Sequence, residues 1–352
     1  MKRRTVAISV GCPAGVGPEV AVLGAARTGD EARAVLVGDG EVLRRAAKLR
    51  RVAPSRIVPV RDAAGVLDLG PKQIGWWEAS TPLAAPPPFG SPTTEAGAAQ
   101  LAWVDEATDL VRAGIADALV TGPVSKAAIA SSGAPGAGTF RGHTEHLGAR
   151  LGAGEVIMAF AGDELVTALV TTHLSIADVP RAITKEGVAA STFWLARLCA
   201  ALGKKKRPRI AVASLNPHAG EAGLLGHEEI DTIAPGVALA RERLAAAGVT
   251  AEVVGPIGAE TAIRLAAAGT YDGVVAMYHD QATIPSKLLG FGEAVNITMG
   301  LPIVRTSVDH GTGYDVAGTG RADPRGMIEA IRVAVRLVEA DSNGARGRSR
   351  TK

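Results

Sequence analysis

Short runs of β-branched and aliphatic residues alternate with longer Ala-rich stretches along the chain. Runs of strand length lie at 5–10, 34–37, 57–60, 117–121, 155–160, 165–171, 209–214, 251–254, 273–277 and 303–306. Segments with helical periodicity separate many of them, most clearly at 94–113, 184–202, 227–247, 259–268 and 325–340. A continuous apolar run suits a strand buried on both faces. The alternation therefore predicts an α/β fold with a largely parallel, helix-covered sheet. The runs 155–160 and 165–171 are joined only through AGDE, which predicts a hairpin and so a mixed sheet. The Pro-rich stretch 79–92 is a loop, followed by a helix N-capped by Thr93 or Thr94. No repeat or independent linker divides the chain.

Composition narrows the class. The chain has 352 residues, 47% of them hydrophobic but only 3% aromatic. The core must be built from Ala, Val, Leu and Ile, and the length allows two domains or one large unit. The net charge is +3, with much of the basic excess in KKKR at 204–207 and in the tail 345–352. Both segments read as solvated, and the tail as disordered. No basic face with interleaved aromatics points to nucleic acid. No stretch reaches the roughly 18 apolar residues of a membrane span. The apolar stretch Val6–Val10 is too short for a signal peptide and reads as a first buried strand. Cys12 and Cys199 make neither a disulfide framework nor a metal clip. A cytoplasmic protein is expected.

Candidate chemistry sits where apolar runs end. His173 in LVTTHLS, His218 in VASLNPHAGE and His279 in VVAMYHDQAT each close such a run. Only folding can bring them together. Converged, three neutral imidazoles beside the Asp280 carboxylate make a divalent-metal site with open positions. Singly, each equally suits a surface or hydrogen-bonded core position. GCPAGVGPE (11–19) follows the first strand; Gly11 and Gly15 permit close backbone approach, and the helix start offers N–H groups to an anion. The same residues also make a tight strand-to-helix turn. Lys126 in TGPVSK is long enough to reach a cleft at a strand's carboxyl end, or to sit in solvent. His143 and Thr144 open a helix and suit an anionic or hydroxylated ligand, unless Thr144 is only a cap. His146 reads as structural and His227 as a surface residue. Lys287, Asn296 and Arg305 supply an ammonium, an amide and a guanidinium, a set suited to phosphate or carboxylate. The stretch DHGTGYDVAGTGRADP (309–324), with His310, Gly311 and Asp315, is of a type that can wrap the adenosine half of a dinucleotide.

These segments, GCPAGVGPE, TGPVSK, GHTE, THLS, NPHAGE, MYHDQ and GLPIVRTSVDHGTGYDVAGTG with RADP, occur in order from about 5 to 340. Together they resemble the 4-hydroxythreonine-4-phosphate dehydrogenase (PdxA-like) family of vitamin B6 biosynthesis. The final loop is also similar to the cofactor loop of isocitrate and isopropylmalate dehydrogenases. The resemblance implies a three-layer α/β/α fold with two lobes around a cleft. The first lobe, 1–138 plus 307–352, would carry the cofactor loop. The second, 139–306, would carry metal, substrate and dimer contacts. It implies NAD(P)-dependent oxidation of a phosphorylated hydroxy acid, assisted by a divalent metal such as Zn, Co, Mg or Mn. The expected reaction takes 4-phosphooxy-L-threonine to its 3-keto acid, then by decarboxylation to 3-amino-2-oxopropyl phosphate.

By the same resemblance, His173, His218 and His279 hold the metal. His143, Thr144, Lys287, Asn296 and Arg305 hold substrate, and Gly11, Gly15, His310, Gly311 and Asp315 serve the cofactor. Lys287 would take the proton, given burial and a nearby cation. Asp280 is the second catalytic candidate beside Lys287, and Glu260 is a further acid nearby. A homodimer is implied, with His279 reaching its partner's site. Two departures stand out: Cys12 where the family carries Asp or Glu, and Gly313 where it carries Ala. They leave room for a paralogue acting on 4-phospho-D-threonate, 4-phospho-D-erythronate or a cyclic dihydrodiol carboxylate. From another class, a metal-dependent hydrolase or lyase without a dinucleotide would use the same histidines.

Overall fold

The computed structural model describes residues 3–349 apart from Lys204, Lys206 and Phe291, and only the backbone of 343–349. The chain forms two compact units, 1–152 with 301–352, and 153–300. The strands are β1 Arg4–Ser9, β2 Ala32–Gly38, β3 Ile57–Val60, β4 Ile74–Glu78, β5 Ala118–Thr121, β6 Ile157–Ala161, β7 Val166–Leu169, β8 Arg209–Ala213, β9 Glu252–Ile257, β10 Gly273–Ala276, β11 Val295–Met299 and β12 Val304–Val308.

In the first unit the strand order is β3-β4-β2-β1-β5-β12, and every pairing is parallel. Strand β1 is buried from Thr5 onward, as an unbroken apolar run predicts. Helices Thr94–Arg112 and Arg325–Ser349 pack against these strands. Thr306 of β12 donates its hydroxyl to the carbonyl of Ala330 in the last helix, 2.8 Å away. Arg305 and Ser307, its neighbours, therefore point to the opposite face. Thr93 caps its helix as expected, accepting from the Ala96 N–H at 3.1 Å.

The second unit has the order β11-β6-β7-β10-β8-β9. The hairpin is present: β6 and β7 are antiparallel, and β11 adds to β6 antiparallel as well. The other pairings are parallel. Val274 of β10 packs in a cluster with Ala211, Ala213, Ala262 and Ala266. At adjacent Gly273 a Cβ would lie 3.0 Å from Cys199 Sγ, on the other face. Helices Ala259–Ala267 and Lys185–Ala201 thus sandwich the sheet in three layers.

The units divide the chain elsewhere than at 138/139 and 306/307, the divisions the resemblance implies. Helix His143–Leu151 belongs with the first unit, because His146 and Arg150 reach Asp105 at 2.6 and 3.3 Å. Strand β12 joins it through parallel pairing with β5. The tail, expected without structure, continues the last helix to Ser349; 350–352 lie outside the described residues. Of KKKR, Lys205 pairs with Asp272 at 3.2 Å, and Lys204 and Lys206 lie outside the described residues. Among the described residues no helix is long and apolar enough to cross a membrane.

Candidate active site

In the first unit, the pairing of β5 with β12 sets Thr121 opposite Ser307 and Leu119 opposite Arg305. Arg305 is 2% exposed and donates from Nη2 to Thr121 Oγ1 at 2.6 Å. Burial lowers its pKa from the usual guanidinium value to about 9, against the raising effect of Glu145, and it stays cationic at neutral pH. Helix His143–Leu151 starts after Gly142, which offers no side-chain cap. Thr144 is therefore not the N-cap; it is a buried residue of the first turn. His143 Nε2 is buried and meets no hydrogen-bond partner. Burial, then the charges of Arg305, His146 and Lys126, hold its pKa well below the ordinary histidine range. The imidazole is neutral at pH 7. Ser125 caps the short helix that begins at Lys126, accepting from Ala128 N–H at 3.2 Å. A Cβ on Gly142 would lie 3.7 Å from Lys126 Nζ and 2.9 Å from Glu145 Oε2. Two cations and a neutral imidazole around a helix start suit an anion. His146, bound to Asp105 at 2.6 Å, is structural as expected.

The Gly-rich loops of this unit are fitted to one another. At Gly11 (φ +77°) a Cβ would stand 2.4 Å from the Pro123 carbonyl oxygen, and at Gly15 it would stand 2.5 Å from that of Thr312. Val16 donates to the same Thr312 oxygen at 2.9 Å. The glycine requirement is thus met within the protein itself. The buried Glu19 carboxylate accepts from Gly318 N–H at 2.7 Å, and Arg50 donates to the Gly320 oxygen at 2.6 Å. Before the first of these pins His310 and Gly311 are exposed, and between them so is Asp315. Burial raises the Cys12 thiol, which lies 3.5 Å from the Tyr314 hydroxyl, so position 12 carries no charge.

In the second unit, β7 and β10 are parallel neighbours, and Thr171 binds the Met277 carbonyl through both its N–H and its hydroxyl, at 3.1 and 2.8 Å. Two residues beyond each, the His173 and His279 rings stand 5.7 Å apart, centroid to centroid. His279 Nδ1 lies 2.7 Å from Asp280 Oδ1. With the proton on Nδ1 donated to that carboxylate, Nε2 is left as a ligand atom. Asp280 thereby orients a histidine. His218 follows β8 in an unusual turn: His218, Ala219, Gly220, Glu221 and Ala222 have φ of 51°, 54°, 76°, 46° and 55°. A left-handed conformation costs L-residues about 1–2 kcal/mol each, and only Arg51 besides these four non-glycines has positive φ among the described residues.

Folding within the unit brings two of the three imidazoles together. Among the described residues no group of three or more His, Cys, Asp or Glu side chains is set to hold a metal ion. His218 is exposed in its left-handed turn. The imidazole pair with its orienting carboxylate has the donor chemistry of a divalent-metal site. Lys287 is exposed on helix His279–Leu289, so its own unit does not supply the burial its role as a base requires. Asn296 is half-buried in β11, opposite Phe160. Glu260 is exposed and paired with Arg264 at 2.9 Å. Gln281 is a residue that sequence reading passed over. Its amide accepts from Met277 N–H at 2.7 Å and donates to the Ser214 carbonyl at 2.9 Å, tying the His279 segment to the His218 segment. Its place in MYHDQ was the available signal.

The sequence profile of the family described as pyridoxal phosphate biosynthetic protein PdxA matches residues 30–334. The 4-hydroxythreonine-4-phosphate dehydrogenase of Desulfosudis oleivorans is 40% identical over 335 residues, 95% of this chain and 96% of its own. The crystal structure of the 4-hydroxythreonine-4-phosphate dehydrogenase from Klebsiella pneumoniae superposes with a TM-score of 0.80 at 35% identity, covering 95% of this chain and 99% of the other. A terephthalate 1,2-cis-dihydrodiol dehydrogenase from Burkholderia xenovorans LB400 gives 0.65 at 32% identity, covering 95% and 98%. All three relatives are dehydrogenases, which makes this chain an oxidoreductase by descent. With nearly its whole length matched, the chain belongs to the family of pyridoxal phosphate biosynthetic protein PdxA, the 4-hydroxythreonine-4-phosphate dehydrogenases.

Proposed function

We propose that this protein oxidises 4-phosphooxy-L-threonine, using NAD or NADP and a divalent cation, in the pathway to vitamin B6. The product would be the 3-keto acid, which loses CO2 to give 3-amino-2-oxopropyl phosphate. The observation that carries the reading is the anion seat of the first unit: Arg305, 2% exposed, next to a His143 whose buried Nε2 has no partner. A buried imidazole nitrogen with no hydrogen-bond partner is poorly explained by packing alone. A phosphate or carboxylate oxygen would answer it beside the Arg305 guanidinium.

The remaining roles follow the chemistry of each group. Thr144 and Asn296 offer a hydroxyl and an amide to the substrate's polar atoms. Asp280 fixes the His279 ring, and His173, His218 and His279 would hold Zn, Co, Mg, Mn or a similar cation. A cation there would lower the pKa of the substrate hydroxyl. Lys287 would take the hydroxyl proton, and a bound nicotinamide would supply the acceptor for the hydride of the carbinol carbon. His310, Gly311 and Asp315 would face that dinucleotide, and Gly11 and Gly15 would serve it by letting the loops beneath pack closely.

A homodimer is part of the reading. Ile176, Leu224, Ile284 and Leu288, all in the second unit, are 69, 79, 57 and 81% exposed. Side chains of this size left open favour a second copy as cover. Leu288 adjoins Lys287, so the same cover would bury the lysine and give the proton acceptor its dry setting. The reading also places the protein in the cytoplasm.

A second reading is favoured by the neutral thiol of Cys12 and by the dihydrodiol dehydrogenase relative: oxidation of 4-phospho-D-threonate, 4-phospho-D-erythronate or a cyclic dihydrodiol carboxylate. One assay separates them. NADH and NADPH formation is followed with phosphorylated threonine-like acids and with cis-dihydrodiols, each with Zn, Co, Mg and Mn. Turnover of 4-phosphooxy-L-threonine at least tenfold more efficient than of any other substrate is expected. A preference for a dihydrodiol would replace the first reading with the second, and no reduced nucleotide with any pair would end both.

A further inference from the structure

Resting on the reading of the seat as the place of the substrate's anion, we infer that Lys126 is its specificity-determining residue: the ammonium answers the second negative charge of a phosphate, so the seat takes a phosphorylated substrate before a carboxylate. Arg305 brings one positive charge and Glu145, in the first turn of helix His143–Leu151, one negative. Glu145 is near enough to raise the Arg305 pKa. His143 is held neutral. These three groups sum to zero, and Lys126 makes the sum positive. The charges one turn on answer each other: Asp105 pairs with His146 at 2.6 Å and with Arg150 at 3.3 Å, and Arg150 reaches Asp109 at 2.7 Å. By Coulomb's law the attraction of one ammonium doubles from a monoanion to a dianion. Lys126 therefore favours the more highly charged ligand.

Lys126 is exposed, yet its backbone is fixed from within the fold. Gln100, 0% exposed in helix Thr94–Arg112, accepts from the Ser125 N–H through Oε1 at 2.7 Å and donates from Nε2 to the Ala96 carbonyl at 2.8 Å. A buried amide with both ends committed thus holds the residue next to Lys126. At Gly97 of the same helix a Cβ would overlap the Ala128 carbonyl oxygen, so glycine is what lets the helix approach the Lys126 segment. From this base the lysine reaches the start of helix His143–Leu151. Its Cε and Nζ both stand 3.7 Å from where a Gly142 Cβ would lie. Its charge, with that of Arg305, acts on His143. A loose surface lysine needs neither the buried amide nor the helix contact beneath it.

The test uses two small anions of the same shape. At about pH 8 methyl phosphate is a dianion and methyl sulfate a monoanion. Binding of each is measured by calorimetry to full-length wild type, Lys126→Met, Lys126→Arg, Gln100→Met, Arg141→Met and Arg305→Met, and thermal melting reports whether each variant folds. Lys126→Met is expected to cost methyl phosphate about tenfold in affinity and methyl sulfate about threefold, so the preference between them shrinks. Lys126→Arg keeps the charge and should keep the preference. Gln100→Met matches the side-chain length but offers no acceptor; exchange of the Ser125 amide should quicken, with part of the Lys126→Met loss. Salt at about 0.5 M should remove most of the difference between wild type and Lys126→Met, because an exposed charge is screened. Arg141, exposed and two residues before His143, is the control, and its loss should leave the preference unchanged.

The outcomes separate two failures. If wild type binds neither anion, or Arg305→Met binds both as wild type does, the seat is not an anion site and the inference falls with it. If Arg305→Met loses both anions but a folded Lys126→Met keeps the wild-type ratio of the two affinities, the seat stands and Lys126 is not its selector. An equal loss of preference in Arg141→Met would overturn the role of Lys126 in favour of the general surface field. Faster exchange in Gln100→Met with the wild-type ratio intact would remove Gln100 as the residue that places the lysine.

Discussion

The anion seat of the first unit and the histidine group of the second are built in opposite ways. Arg305 and Thr121 stand on adjacent parallel strands, and their 2.6 Å contact is fixed by ladder register. The helix bearing His143 is locked to its neighbour through Asp105. The histidines of the second unit hang beyond strand ends: His173 in a loop, His279 at a helix start, His218 in a strained turn. Regular structure positions the first group; loop bracing and side-chain hydrogen bonds position the second.

The largest expected effect breaks the first half of this comparison. Arg305→Met removes a desolvated cation from the seat and should lower kcat/KM for a phosphorylated substrate by about 10²–10³-fold, mostly through KM. The same change should leave the melting temperature equal or raised, since a buried charge gives way to packed methylene and sulfur. Lost binding with unchanged stability marks a seat for ligand. A melting temperature lowered by ten degrees, with KM unmoved, would make Arg305 a structural residue. In the second unit, Asp280→Asn should weaken divalent-metal binding roughly 10–100-fold through loss of the orienting carboxylate, read by Co2+ titration. Unaltered affinity there would mean that His279 is held by something else. Smaller still is the effect of Leu288→Glu, expected to shift sedimentation from dimer toward monomer at micromolar concentration. A single species of unchanged mass for both forms would remove Leu288 from any interface.

The contrast also explains what could be read from the sequence. Unbroken apolar runs announced β1, β8 and β10, and the AGDE link announced the β6–β7 hairpin. Strand β4, IGWWE, was missed because a glycine and two tryptophans do not form a β-branched run. Strand β11, VNITM, was missed although apolar residues alternate with polar ones in it; five residues are too few to outweigh the polar chemistry read there. Each candidate site residue could be named from its motif, but their groupings could not. That Arg305 meets Thr121 depends on which strands are neighbours. That His173 and His279 meet, while no group of three forms among the described residues, depends on how the chain leaves the neighbouring strands, which the motifs do not state. Gln281 was passed over because its amide also serves a backbone atom distant in sequence, the Ser214 carbonyl.

The smallest expected effect sharpens the account of the seat as a place for an anion. Burial, helped by Arg305 and other cations, holds His143 well below the ordinary histidine pKa in the folded protein. In the unfolded chain the same group titrates near about 6.5. Above that pH it is neutral in both states and contributes nothing to a pH slope. As pH falls below about 6.5 the unfolded chain binds a proton that the folded one refuses. Stability is then lost by up to about 1 kcal/mol per pH unit until the depressed folded value is reached. His143→Asn should remove this part, so urea midpoints of wild type and variant should converge as pH falls from 7.5 to 5.5. An anion in the seat reverses the sign of the local field. Inorganic phosphate at millimolar concentration should raise the folded pKa and flatten the wild-type slope, and should do nothing in His143→Asn. Equal slopes for the two proteins without phosphate would show that His143 is not held neutral. Equal slopes for wild type with and without it would show that no anion sits beside the ring.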